Sequence, residues 1–266
     1  MFDSEAARER CRRFRRKLLD ISRNVPALHL APSFSCLELL DFAYFGLVDQ
    51  FGSEDDAFIL SKGHAAVAQY VVLNDRGVLN DNILNSYCSA GSKLGAHPDR
   101  GLPGIIASTG SLGHGLGLAV GLAYGMKLQR KKSKVIALVS DGELQEGSSW
   151  EALMMARNLH LENLICLVDY NDFTGMDRLS VTHPGFGPLL EKFVAFGWSG
   201  EEVDGHDQHA ILNAFYNISD SSQPKVIIGR TIKGKGVSFM ENVPIWHYRS
   251  PSEEEYQIAL RELDNQ

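Results

Sequence analysis

Cysteine is scarce in this chain. The four that occur, Cys11, Cys36, Cys88 and Cys166, lie far apart without CxxC spacing, so neither a zinc site nor a disulfide framework is expected. Positive charge is also in short supply. A net charge of −7 argues against general affinity for nucleic acid or an anionic membrane surface. The first twenty residues lack the apolar stretch of a cleavable signal, which points to a reduced, cytoplasmic setting. Long hydrophobic runs are missing too. The nearest, SLGHGLGLAVGLAYGM from Ser111 to Met126, falls short of the roughly 20 apolar residues that a span needs and contains His114. It reads instead as a buried helix. Glycines at 113, 117, 121 and 125 give it a ridge where another element can approach closely. No internal repeat or low-complexity linker divides the chain, and TIKGKG (231–236) lacks the GxxxxGK[ST] spacing of a nucleotide-binding loop.

What is present is an ordinary globular composition, 44% apolar over 266 residues, enough for one large core. ARERCRRFRRKLLDISR places Cys11, Phe14, Leu18 and Ile21 at helical spacing, with a cationic face left to solvent or a partner. A second helix should run from near Cys36 through Asp41–Val48, followed by a short strand at AFIL (57–60). Helices are expected at 64–73 and 81–89, before a Gly/Pro-rich loop at 91–110. KVIALVS (134–140) has the length and β-branching of a buried parallel strand. Then follow a helix in SSWEALMMARNLH, a strand in NLICLVDY, a loop at 170–186 and a helix near 187–197. WSGEEV, a helix from about 207 to 218 and KVIIGR (225–230) complete the alternation. This pattern predicts an α/β chain: a three-layer, open, mostly parallel sheet flanked by helices with right-handed crossovers. Residues 1–266 read as a single domain with a C-terminal tail over 231–266.

In such sheets ligands gather beyond the carboxyl ends of the strands. Asp141-Gly142 directly follows one apolar strand, and Asn171 follows the next, about thirty residues later. If those strands are neighbours, a carboxylate, a carboxamide oxygen and a backbone carbonyl converge there. These are hard oxygen ligands, suited to magnesium or calcium, and magnesium completes its shell with phosphate oxygens and water. The glycine lets backbone approach a phosphate, and a helix starting near Gly147 would aim free N–H groups nearby.

SDGELQEGSSWEALMMARNLHLENLICLVDYN resembles the transketolase family, in which the thiamine-diphosphate fingerprint begins Gly-Asp-Gly and ends in Asn; here Ser140 replaces the first glycine. HLAPSFS (29–35), SKGHAA (61–66), GAHPDRGLPGIIASTGSLGHGLGLAVGLA (95–123), FGWSGEEVDGHD (196–207) and GRTIKGKGVSFMENVPIWHYRSPSEEEY (229–256) follow in family order. The resemblance covers almost the entire chain, but only the amino-terminal, diphosphate-binding half of a full transketolase.

The resemblance implies thiamine diphosphate as cofactor with Mg²⁺, for which Ca²⁺ or Mn²⁺ could substitute. Asp141 and Asn171 would bind the metal through their side chains and Phe173 through its carbonyl. His64, Gly110, Ser111, Leu112, Gly142, Glu143, Lys233 and His247 would contact the cofactor, Gly142 by its N–H. Of nine histidines, His29, His64, His97 and His247 match family positions lining the channel, where imidazole suits proton transfer near neutrality. His160, His183, His206 and His209 read as caps or loop residues. Glu146 is similar to a family glutamate in a carboxylate network at the subunit interface; otherwise it complements a helix N-terminus. The departures border the substrate channel: ALHLA (27–31) where the family has SGHPG, Ser111 for a proline, His114 for a glutamine, and WHYR, which sets Tyr248 beside His247.

The glutamate that holds the aminopyrimidine, and the arginines that bind sugar phosphate, lie in the family's following domain, for which no block appears here. The expectation is therefore a split, two-polypeptide transketolase, α2β2, completed by a C-terminal, pyrimidine-binding subunit. It would transfer a two-carbon ketol unit from a ketose or ketose phosphate to an aldose acceptor. The alternatives are a thiamine-dependent synthase moving an acyl unit from a 2-oxo acid, or a non-catalytic paralogue.

Overall fold

The computed structural model describes residues 2–25, 28–48 and 56–265. Asp3 starts the first helix, α1 (Ser4–Ser22), by accepting the Glu5 and Ala6 N–H groups on its carboxylate. Cys11, Phe14, Leu18 and Ile21 are buried, as their spacing predicts. The cationic face is not simply solvated, however. Arg15 is buried in a two-bonded pair with Glu38, and Arg10 grips Asp41. Helical periodicity reveals which face is apolar but not which carboxylates will fold against the other one.

The next segment is α2 (Leu30–Ser35), then α3 (Leu37–Asp41) continuing as a π-turn over Phe42–Leu47. Strand β1 (Ala57–Leu60) leads through a tight turn into α4 (Ala66–Asp75) and the short α5 (Asp81–Asn85). The glycine-rich helix α6 (Gly115–Leu128) precedes β2 (Val135–Ser140), α7 (Gly147–Asn158) and β3 (Leu164–Tyr170). The stretch expected as loop at 170–186 contains a small hairpin, β4 (Phe173–Thr174) with β5 (Asp177–Arg178), and a helical turn, α8 (Leu179–Thr182). Helix α9 (Leu189–Ala195), β6 (Ser199–Asp204), α10 (Gln208–Ser219) and β7 (Lys225–Arg230) follow. The segment expected as a tail carries a helical turn at Pro244–Tyr248 and α11 (Glu253–Asp264), which opens with a Ser252–Glu255 capping box. Asp264 at its end pairs with Arg16 of α1, and Tyr256 donates to Asp20.

The five long strands pair in parallel in the order β1-β2-β3-β7-β6. Strands β2 and β3 are buried along their whole length because helices cover both faces. Alternate residues divide between two cores: Ile136, Leu138, Ile165 and Leu167 pack towards α1–α4 and α10, whereas Val135, Ala137, Cys166 and Val168 pack towards α6, α7 and α9. Because β7 rather than β6 follows β3, the strand order reverses at that point. A crevice opens at such a switch, beyond the carboxyl ends of β3 and β7.

Helix α6 is not fully buried. Leu116, Ala119, Val120 and Ala123 face the core, but Leu118 and Leu128 are exposed, and a Cβ built at Gly117, Gly121 or Gly125 would meet no neighbour within 4 Å. A helix this uniformly apolar carries almost no amphipathic signal, so its sequence does not tell its buried side from its open one. Gly113 precedes the helix, with a φ of +86°.

Candidate active site

The crevice holds a cavity of about 240 Å³. His29, Lys62 and His64 form part of its wall, and Gly142, Asn171 and Lys233 reach it from the ends of β2, β3 and β7. Three chain turns assemble it. Gly63, just after β1, lies so close to the 109–110 loop that a Cβ would stand 2.6 Å from the Gly110 nitrogen. Gly142 approaches the Phe173 carbonyl, whose oxygen would lie 3.0 Å from an added Cβ. Asp172, at φ +65°, turns the chain out of β3 and is locked there by accepting the Ser180 N–H at 2.7 Å.

Beneath the cavity lies a buried set of charges. The Lys62 ammonium is completely enclosed and pairs with Asp169, while also donating to the Pro32 carbonyl at 3.1 Å. Asp169 additionally accepts from Ser35, Thr231 and the Asn171 carboxamide. That last bond, with Asn171 Nδ2 also donating to Ser35, fixes the amide so that Oδ1 faces the Phe173 N–H, 3.1 Å away. Asp141 is fully buried at the end of β2; its two oxygens accept the Gly142 and Asp172 N–H groups at 2.9 and 2.6 Å. Burial, and then the neighbouring Asp169, push its pKa up to about 8. Among the described residues it has no ion-pair partner of its own, so a cation at this turn would relieve it. Carboxylate, carboxamide and carbonyl oxygen form the donor set that a hard divalent ion takes, and the arrangement fits one.

Lys233, buried to 2% exposure, donates to the Gly175 carbonyl at 2.6 Å and stacks its ammonium 4.5 Å over the Phe173 ring. Burial, and then Lys62, lower its pKa to about 7. An anion in the cavity would restore its charge. Above it the histidines gather. The His29 ring centroid lies 5.3 Å from His64, 5.2 Å from His247 and 6.5 Å from His97. Burial holds His29 down at about 4, aided by His97, and His247 at about 3, aided by Lys233; His64 is also lowered by burial. Among the described residues, buried His247 Nδ1 has no hydrogen-bond partner. An orphaned imidazole nitrogen, a cation without an anionic partner among the described residues and a glycine-floored turn together fit a diphosphate.

The comparisons with known proteins agree. Residues 49–262 match the thiamine diphosphate binding domain of transketolase. An apulose-4-phosphate transketolase subunit from Actinobacillus succinogenes is 36% identical over 267 residues, covering 97% of this chain and 96% of its own length. A 6-deoxy-6-sulfo-D-fructose transketolase subunit from a Clostridium species is 34% identical, over 90% of this chain and 89% of that one. The chain belongs to the transketolase family. The solved Campylobacter jejuni transketolase superimposes with a TM-score of 0.91 at 25% identity, over 99% of this chain but only 43% of that one. This transketolase-family chain thus spans about two-fifths of the solved transketolases it matches.

The structure gathers His29, His64, His247, Gly110, Leu112, Gly142, Asn171, Phe173 and Lys233 around one cavity. His97 stands at the rim, its ring packed where a Gly110 Cβ would be. Other expected residues lie apart. Ser111 is exposed outside the cavity. Glu143 is buried behind it, accepting the Ser61 hydroxyl and the Gly113 N–H, so it braces the glycine loop rather than reaching the cavity. Glu146 is exposed beside Gly113 on the open α6–α7 face. The Gly142 N–H, expected to face a diphosphate, is already engaged by Asp141. Among the departures, Ala27 lies outside the described residues, and the exposed Tyr248 ring lies 4.5 Å from His29, tilted at 46° to it. Sequence reasoning missed Lys62, Asp169 and Thr231. Lys62 sits inside SKGHAA and Asp169 two residues before Asn171, but a lysine's burial and its partner 107 residues away leave no local signal.

Proposed function

We propose that this chain is the diphosphate-side subunit of a two-polypeptide transketolase, moving a two-carbon ketol unit from a ketose or ketose phosphate to an aldose acceptor. The observation that carries the reading is the cavity at the sheet's switch point, where Lys233, the unpartnered His247 nitrogen and the Gly142 turn converge. Relatives of matching length that are themselves named as transketolase subunits support the split, and they favour ketol transfer over the acyl-transfer and non-catalytic alternatives.

In this reading Asp141, Asn171 and the Phe173 carbonyl would hold Mg²⁺, with Ca²⁺ or Mn²⁺ as substitutes, and the ion would supply positive charge to offset the cofactor's diphosphate. Lys233, His64 and His247 take the diphosphate oxygens, and the Gly110–Leu112 loop packs beside them. Thiamine diphosphate, when bound, supplies the carbanion chemistry, and the protein supplies orientation and charge. His29 is neutral at ordinary pH because burial holds its pKa at about 4, so it offers a lone pair to a sugar hydroxyl, and His247, neutral likewise at about 3, keeps one ring N–H for a diphosphate oxygen. His97, at the rim, is placed to bind donor oxygens, and Tyr248 narrows the approach to His29. Glu146 lies beside Gly113, where α6 exposes Leu118 and Tyr124 along with its open glycines and the neighbouring α7 exposes Met154 and Met155. That face suits contact within an α2β2 assembly whose second subunit brings the pyrimidine-side glutamate. A net charge of −7, and the absence among the described residues of a helix long and apolar enough to cross a membrane, fit a cytoplasmic enzyme of sugar metabolism.

The test is a ketose–aldose exchange assay on the purified chain alone and after co-expression with a pyrimidine-side subunit. The chain alone should be folded but silent, with activity appearing in the complex. Robust turnover by the single polypeptide would refute the split.

A further inference from the structure

His206 lies between β6 and α10, outside the cavity, and its sequence context suggests nothing more than a loop residue. Yet its side chain is only 9% exposed and both ring nitrogens are bonded. Nδ1 lies 2.9 Å from Glu38 Oε2, and Nε2 accepts the Ile232 N–H at 2.8 Å. Glu38 is an acceptor on both oxygens. Burial opposes its charge, but Arg15 and then His206 outweigh burial and hold it at about 2. Arg15 supplies donors at 2.7 and 2.9 Å and also bonds the Phe34 carbonyl. With a carboxylate facing Nδ1, the ring must carry its proton there, which leaves Nε2 as the lone pair that Ile232 needs. Four segments are thereby tied together: α1 through Arg15, α3 through Glu38, the β6–α10 loop through His206, and the loop after β7 through Ile232.

The next residue after Ile232 is Lys233. Its loop is also held by the Thr231 N–H on the Tyr170 carbonyl at 3.0 Å, the Lys235 N–H on the Ile232 carbonyl at 3.1 Å, the Gly234 N–H on the Ala31 carbonyl at 3.1 Å, the Asn242 N–H on the Lys233 carbonyl at 2.8 Å and Thr231 on Asp169, while the ammonium itself donates to the Gly175 carbonyl at 2.6 Å. The Ile232 contact is the only one of these that runs through a side chain of the β6–α10 loop. We infer that His206 is a positioning residue: through its Nε2 lone pair it fixes the Ile232 backbone, and so sets where the Lys233 ammonium stands above the diphosphate-side cavity. This inference rests on the proposed function for the part Lys233 plays, but not for the clamp itself.

Two substitutions separate the two ends of the ring. In His206→Gln the carboxamide oxygen reaches the position of Nε2 and keeps an acceptor for Ile232, while losing the Glu38 contact. In His206→Asn the shorter amide keeps a donor for Glu38 but leaves the partly buried Ile232 N–H without its acceptor. Amide hydrogen exchange on the full chain should show Ile232 and Lys233 accelerated roughly tenfold or more in His206→Asn and within about threefold of wild type in His206→Gln. Calorimetric titration of the complex with a pyrimidine-side subunit, using thiamine diphosphate and Mg²⁺, should show affinity roughly tenfold weaker for His206→Asn, with the Gln variant rescuing it. In the complete enzyme the apparent KM for cofactor should rise while kcat at saturation stays close to wild type. Equal exchange at Ile232 in both variants, or cofactor affinity that follows thermal stability rather than the retained acceptor, would overturn the inference. Failure of the wild-type chain to bind thiamine diphosphate even in complex with a pyrimidine-side subunit would count against the proposed function, while the exchange data would still decide the clamp.

Discussion

Replacing Lys62 by Met is the most searching perturbation of this site. Methionine keeps most of the volume of the buried side chain and removes only the charge and its donors. The ammonium has no solvent contact, and it is the ion-pair partner that the structure shows for Asp169. Without the ammonium, Asp169 keeps only the uncharged donors Ser35, Thr231 and Asn171. Removing one member of a buried pair costs about 3–5 kcal/mol, since the other charge is left enclosed and uncompensated. Against a typical total of about 5–15 kcal/mol that is a large share. The damage should spread, because Lys62 also offsets the burial and the Asp169 charge that push Asp141 upward, and because Asn171 is oriented by Asp169. Urea unfolding at pH 7 should show the loss in the single variant. In Lys62→Met combined with Asp169→Asn the buried charge is gone, and at least about 2 kcal/mol should return. A loss below about 1 kcal/mol for Lys62→Met, or no recovery in the double variant, would mean that the pair is not the electrostatic support of the site.

Asp141→Ala should abolish Mg²⁺-dependent binding of thiamine diphosphate, measured by calorimetry on the assembled complex; unchanged affinity would remove Asp141 from the metal site. Acid should weaken the chain through its histidines. His29 and His247 bind a proton near 6.5 when unfolded but only at about 4 and about 3 when folded, so their contribution is complete above pH 6.5 and is lost as pH falls through about 4 for His29 and about 3 for His247. After allowance for partial exposure, each should contribute about 1–2 kcal/mol, and His29→Gln should flatten that limb of a melting-against-pH curve. Two substitutions in α6 should act in opposite directions. Gly115→Ala places a Cβ 2.5 Å from the Ser61 Cβ and should destabilise the chain, whereas Gly121→Ala meets nothing and should stabilise the chain by up to about 1 kcal/mol in thermal melts. Gly121→Leu should then fold normally yet fail to assemble by light scattering, if the open face is an interface.

The sequence alone determined the architecture and the floor of the site. Continuous apolar runs such as KVIALVS have one stable home, a parallel strand covered on both faces, and helices between them fix the layers. Asp141-Gly142 and Asn171 were legible because each stands directly after such a strand, where local order places it at the carboxyl edge. The four channel histidines were legible only through resemblance, for nothing in their spacing brings residues 29, 64, 97 and 247 to one point. The tertiary structure alone decided what pairs with what. Strand order β3-β7-β6 opens the crevice and brings Lys233 to Asn171, and no local pattern reveals that reversal. It also enclosed Lys62 against Asp169 and Arg15 against Glu38, because long-range ion pairs depend on which helices meet rather than on the residues beside them. The open side of α6 belongs to the same class. A helix that is apolar all round can be buried on either side, and only its neighbours determine which glycines remain uncovered.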